Sequence, residues 1–198
     1  LLRVSRVFWF ALMICPCLLS STVEGSDTMK SSKADLRVVN LEAAIVVRSI
    51  QHFSWQPEHL PPVDQEVVLL VVGSDNCLFT ERLSFLIELS EAKVQGRRIK
   101  VKTSESFEDA AKLSRQDKQI IYIVALKSVS DHWDTSKLAK RGGLIAFGQG
   151  DSYLKRGLAM SSVVQNNRLR VSVNLRKLKQ KAIKVDDNLL SNRQILLQ

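Results

Sequence analysis

The sequence predicts an α/β domain of three layers: a mixed, largely parallel central sheet flanked by helices, with a C-terminal antiparallel hairpin. Three observations carry that expectation. Residues 66–72 (EVVLLVV) and 119–126 (QIIYIVAL) are short, β-branched apolar runs, as strands buried on both faces of a parallel sheet must be. Helical patterns separate such runs along the middle of the chain, the order that builds right-handed β-α-β crossovers. Near the C-terminus Leu169, Val171, Val173 and Leu175 alternate with Arg168, Arg170, Ser172 and Asn174, which gives one apolar face and one wet face. The preceding Gln165-Asn166-Asn167 supplies a hairpin turn, since asparagine tolerates positive φ.

The chain divides into 1–25, 26–34 and a single domain, 35–198. Arg3 and Arg6 precede an apolar run at 7–19, and Val23 and Gly25 stand at −3 and −1 to a cleavage point before Ser26. That is the layout of a secretory signal peptide, and the run is short for a membrane span. An uncleaved anchor is the alternative. The small residue that a lipoprotein needs is missing before Cys15 and Cys17. Residues 26–33 (SDTMKSSK) form a polar leader, expected to be mobile.

A helix capped by Asp35 follows, with Leu36, Val39, Ala43, Val46, Val47, Ile50 and Phe53 at helical spacing. Trp55, Pro57, Pro61 and Pro62 force an irregular connection. After the first buried strand, residues 73–76 turn the chain, and Thr80 caps a helix that buries Leu83, Leu86, Ile87 and Leu89. Gly96 breaks the pattern, and 97–103 (RRIKVKT) reads as an exposed edge strand guarded by its charges. Ser106 starts a helix to Leu113. Ser130 or Asp131 caps another to about Lys140, ended by Gly142-Gly143. Residues 144–147 form a short strand, 148–151 a loop and 152–156 one helical turn. Asn174 caps a helix over 175–181, and Asp186 caps the last one.

Composition narrows the function. The net charge is +9, and without residues 1–25 it becomes 27 basic less 19 acidic, or +8. Such an excess suits nucleic acid, an anionic membrane surface or an acidic partner. Export argues against nucleic acid, as does the lack of any stacking aromatic between Leu154 and Gln198. Arg168, Arg170, Arg176, Lys177, Lys179, Lys181 and Lys184 therefore read as a solvated basic face, with membrane contact only indirect or electrostatic. Beyond residue 25 only Cys77 remains. It can close no internal disulfide and is either free, as a buried thiol, or an intermolecular bridge.

No motif carries chemistry. Gly148-x-Gly150 follows a strand but lacks the third glycine and a good helix, so it reads as a turn. His52, His59 and His132 stand apart from any metal-ligand spacing. Ser74-Asp75 and Asp131-His132 lack a nucleophile elbow, and Ser161 and Ser162 lie in a strand with no base in view. Phe53 and Trp55 read as core plugs. No catalytic residue, cofactor or metal is expected.

Several segments, in order over about 41–196, resemble the YfiR-like family of exported bacterial regulators. They are LEAAIVVRSIQHFSW at 41–55, EVVLLVVGSDNCLFTERL at 66–83, QGRRIKVK at 95–102, IIYIVAL at 120–126, and RGLAMSSVVQNNRLRVSVNLRKLKQKAIKVDDNLL at 156–190. The last fixes the most residue types and is the most specific. The resemblance implies a non-enzymatic periplasmic protein that binds and represses the extracytoplasmic domain of an inner-membrane signalling protein. The best-studied target is a diguanylate cyclase, so repression lowers cyclic-di-GMP and biofilm formation. It also implies a homodimer. Family members are redox-sensitive through paired cysteines, whereas this chain keeps Cys77 alone, reads Trp55-Gln56-Pro57 in place of Trp-Pro, and has a plain Gly148-Gln149-Gly150. The alternative is a small-ligand binder accompanying a sensor such as a histidine kinase, with a pocket at the C-terminal strand ends near 73–76, 127–130 and 148–151.

Overall fold

The computed structural model describes residues 26–73, 76–126, 138, 141–150, 152–155, 157–165, 168–191 and 195–197. Its main sheet has eight strands. In chain order they are β2 (Val67–Val72), β3 (Lys93–Val94), β4 (Arg97–Ser104), β5 (Ile120–Ala125), β6 (Ile145–Gln149), β7 (Met160–Gln165), β8 (Arg168–Val173) and β10 (Ile195–Leu197). Their spatial order is β10-β8-β7-β6-β5-β2-β4-β3. Pairing is antiparallel between β7 and β8 and between β3 and β4, and parallel elsewhere. The sheet is mixed and largely parallel, as the apolar runs demand. Its inner order, β4-β2-β5-β6-β7, is that of a doubly wound sheet whose strand order reverses between β2 and β5.

Helices cover both faces. Val67, Leu69 and Val71 of β2 point into one core with Ala43, Val46, Val47 and Ile50 of α1 (Ser26–Gln51) and Phe79, Leu83 and Ile87 of α2 (Asn76–Leu89). Val68, Leu70 and Val72 point into the other, with Ala110 and Ala111 of α3 (Phe107–Gln116), Leu138, and Tyr153 of the single turn α4 (Ser152–Lys155). Each Val, Leu, Ile or Phe among them contributes roughly 1.5–3 kcal/mol by leaving water. That burial on two faces is why β2 and β5 are apolar throughout and show no alternation.

Three caps match the sequence reading. Ser106 accepts from the Asp109 amide, Asn174 from the Lys177 amide at the start of α5 (Leu175–Gln180), and Asp186 from the Asn188 amide at the start of α6 (Asp187–Leu190). Two do not. Helix α1 begins at Ser26, so Asp35 lies within it and the polar leader forms its first turns. Helix α2 begins at Asn76, one turn before Thr80, whose hydroxyl is buried without a partner. Leu89, expected inside, is 69% exposed, because the buried stripe of α2 follows Phe79, Leu83 and Ile87. Helix α3 runs on to Gln116. The helix expected over 131–140 and the Asn166-Asn167 turn lie outside the described residues, apart from buried, helical Leu138.

The largest departure is a second, two-stranded sheet. Phe53–Trp55 (β1) leaves α1 and pairs antiparallel with Ile183–Val185 (β9), Phe53 opposite Val185 and Trp55 opposite Ile183. Both segments are three residues long and show little pattern, so periodicity cannot reveal them. The hairpin's wet face also fails near its base. Ser172 is 1% exposed, because β10 lies beside β8 there and the sheet is covered on both faces. Strand β4 is not the outermost one. Lys93-Val94 folds back on it through Gln95 (φ 46°) and Gly96 (φ 88°), covering only Arg97 and Arg98. Among the described residues no helix is long and apolar enough to cross a membrane.

Candidate functional site

The C-terminal ends of the parallel strands, where sequence reasoning put a pocket, hold an internal polar lock at β6 and β7. Residues 74–75, 127–130 and 151 lie outside the described residues, but Gly148, Gln149 and Gly150 are on view. Gly148 is glycine for packing: a Cβ there would strike the Tyr153 ring, whose hydroxyl donates to the Leu126 carbonyl. Gly150 is glycine for its backbone, at φ +119°. Beneath them the Glu42 carboxylate, 5% exposed on α1, accepts from Ser162 Oγ at 2.6 Å and Gln149 Nε2 at 2.5 Å. Ser161 Oγ donates to the Gly150 carbonyl at 2.8 Å, and the Gly150 amide donates to the Ser162 carbonyl. The serines without a visible base are therefore structural: they tie α1 and the Gly148-Gln149-Gly150 loop to β7. Glu42 carries no signal in the sequence, because a carboxylate on the core side of a helix looks like an interruption until its partners, more than a hundred residues away, are in place.

The other candidates among the described residues have structural partners. His52 Nδ1 lies 3.5 Å from Asp186 Oδ2 across the β1–β9 sheet. The Asp186 carboxyl is held below its ordinary value, first by the Asn188 amide and also by His52. His59 packs on Gly142 and Gly143, where a Cβ would collide with its side chain. His132, Ser74, Asp75 and Asp131 lie outside the described residues. Trp55 and Phe53, each 3% exposed, meet edge to face at 6.0 Å, and Trp55 Nε1 donates to the Gly143 carbonyl at 2.7 Å. They are core plugs. Among the described residues no three His, Cys, Asp or Glu side chains cluster as metal ligands would.

Arg97 and Lys181 are not solvated. Arg97 is 8% exposed, and its Nε donates to the Pro61 carbonyl at 2.7 Å, pinning the proline-rich connection. Lys181 is half-buried, donating to the carbonyls of Leu138 (3.2 Å) and Arg141 (2.7 Å). Arg168, Arg176, Lys179 and Lys184 are exposed as expected.

The surface most suited to a macromolecular partner is on α2. Leu78, Phe85 and Leu89 are 48%, 49% and 69% exposed and share one face with Arg82, whose guanidinium lies over the Phe85 ring at 5.0 Å. Leu36, Val38 and Leu41 add exposed apolar area on the neighbouring α1. Cys77 sits beside this face. It is exposed, not buried, and free; its thiol donates to Glu81 Oε1 at 3.4 Å, and Glu81 pushes its pKa up.

A conserved domain protein from Vibrio cholerae O1 biovar El Tor str. N16961 has a crystal structure similar to this one. The TM-score is 0.45 at 14% identity, over 81% of this chain and 60% of that one, so this chain spans less than two thirds of its length. No curated protein matches the chain. The model of the DUF4154 family, described as YfiR/HmsC-like, matches residues 39–192, from the middle of α1 to the end of α6. With that match covering most of its length, the chain belongs to the YfiR/HmsC-like family, whose members are known as regulators of membrane signalling proteins.

Proposed function

We propose that this protein is a non-enzymatic periplasmic regulator that binds the extracytoplasmic domain of an inner-membrane diguanylate cyclase and represses it. The family match over residues 39–192 carries the reading. Two features of the molecule support it. Ser161 and Ser162 near the start of β7, and the glycines at the end of β6, are consumed in holding the fold together, and α2 offers an exposed apolar face to a protein partner. Repression is a population shift: the regulator lowers output by the difference in its affinity for the inactive and active receptor. The working form in this reading is a homodimer, which light scattering of the purified protein tests.

Deleting the gene raises cyclic-di-GMP and surface attachment, and complementation reverses both. Unchanged cyclic-di-GMP in the deletion strain sinks the proposal. Phe85→Glu on α2, 49% exposed and so tolerated by the fold, abolishes capture of the receptor's extracytoplasmic domain if that face makes the contact.

A further inference from the structure

Strand β4 keeps an open edge. On its inner side it pairs with β2 in one unbroken register, from Val67 opposite Ile99 to Val72 opposite Ser104. On its outer side β3 covers only Arg97 and Arg98, and the chain turns just before β3 at Glu91, where φ is 47°. The Gly73 amide donates to the Ser104 carbonyl, so Ser104, Lys102 and Lys100 direct their backbone groups to β2. The amides and carbonyls of Ile99, Val101 and Thr103 therefore point outward, and among the described residues they have no partner.

Two unlike faces flank that edge. Ile99 and Val101 are half-buried and pack against the core beneath α1 and α2. Lys93, Arg98, Lys100 and Lys102 share the other face and are all exposed. Two carboxylates reach this stripe from elements inboard of β4. Glu66, just before β2, lies 3.8 Å from Lys100, and Asp117, just after α3, lies 3.6 Å from Lys102. Exposed pairs of this kind hold their partners weakly, so both ammonium groups can turn to a strand laid alongside. Edges are closed to pairing by proline, by a bulge, by a covering element or by charge. Residues 99–103 contain no proline and no shift of register, and among the described residues charge is the device left.

We propose that residues 99–103 of β4 accept an extended segment of another protein as an added strand, one in which acidic residues alternate with β-branched apolar ones. The outward backbone groups supply the pairing, and the side chains choose the partner. Carboxylates at every second position meet Lys100 and Lys102, and the residues between them lie beside Ile99 and Val101. The same charge rejects a second copy of this strand, since pairing two such edges sets lysine against lysine. A segment of about five to six residues is enough, an ordinary strand length. The proposal involves no receptor and does not depend on the regulatory reading.

Fluorescence anisotropy of a labelled, end-capped peptide alternating glutamate and valine, titrated with the whole protein, tests this. The expected result is one saturable site tighter than about 1 mM at low salt, weakening as salt rises. A lysine–valine peptide, and the acidic peptide N-methylated at alternate amides, each bind at least about tenfold more weakly. Val101→Pro removes an outward amide and leaves the bonds to β2 in place, since proline is tolerated where the N–H faces solvent, and it abolishes binding. Lys100→Gln combined with Lys102→Gln, both at exposed positions, erases the preference for the acidic peptide. The proposal is overturned if no saturable binding appears below about 1 mM, if the lysine or the N-methylated peptide binds as tightly as the acidic one, or if either variant binds it like the parent. It is equally overturned if the protein self-associates and Val101→Pro abolishes that association, which assigns the edge to a second copy.

Discussion

Replacing Ser162 by alanine isolates the contact that joins α1 to the sheet. Ser162 is 3% exposed and its hydroxyl donates to Glu42 Oε1 at 2.6 Å, while Gln149 serves the other carboxylate oxygen. The substitution leaves little void, so the loss is electrostatic: one carboxylate oxygen in a dry setting without this donor. Hydrogen bonds to charged groups are worth about 1.5–3 kcal/mol, and stripping one partner from a buried group leaves a similar penalty. A loss of about 2 kcal/mol follows, which for a domain of this size lowers Tm by about 4–8 °C. Urea denaturation followed by Trp55 fluorescence reads it directly. The midpoint should fall with an unchanged slope, because α1 stays docked through Ala43, Val46 and Ile50. Glu42→Gln should cost a comparable amount, and the double variant should show coupling of at least about 1 kcal/mol. A Ser162→Ala protein within about 0.5 kcal/mol of the parent, or strictly additive losses, would refute the lock as a stabilising device.

Four further outcomes follow from the same structure. Trp55→Phe leaves the Gly143 carbonyl without its indole donor and should cost about 1–3 kcal/mol in urea titrations. Gly148→Ala drives a Cβ into the Tyr153 ring and should lower Tm by about 4–12 °C, while Gly142→Ser, against the outer ring of His59, costs less. Lys181 titrates near 8 when folded and near 10.5 when unfolded, so the unfolded chain holds the extra proton between those values and stability rises with pH across that window. Because the amine is partly exposed, the gain is about 1 kcal/mol, and thermal melts of Lys181→Met should lack it. Glu81 raises the Cys77 thiol pKa, so Glu81→Gln should speed iodoacetamide alkylation at neutral pH, and an unchanged rate would show that the contact is idle.

The mixed, largely parallel sheet was legible because its central strands are buried on both faces, and continuous apolar runs such as 66–72 and 119–126 have few other solutions. The caps at Ser106, Asn174 and Asp186 were legible because each is a local bargain between a side chain and an amide two or three residues on. What sequence could not show is what depends on distant partners. Phe53 looked like the end of a helix and Trp55 like part of an irregular connection until Ile183–Val185 gave them a strand to pair with. Ile195–Leu197 carried no strand signal and gains its state from lying beside β8. Ser172 alternated like a surface residue but sits under a covered part of the sheet. The lock at Glu42 was not legible, since it gathers residues from three elements with no shared spacing.

The β1–β9 pair also bears on how the chain reaches its folded state. Its strands are joined through register partners about 130 residues apart, Phe53 with Val185 and Trp55 with Ile183, so the small sheet closes only after nearly all of the chain is available. Closing so long a loop costs entropy before any pairing can repay it, and non-local pairing of this kind slows folding. The indole of Trp55 finds Gly143, and His52 finds Asp186, only once that closure is made. A chain made only as far as β6 has no partner for its aromatic plug. The final clasp is withheld until residues 183–185 are in place.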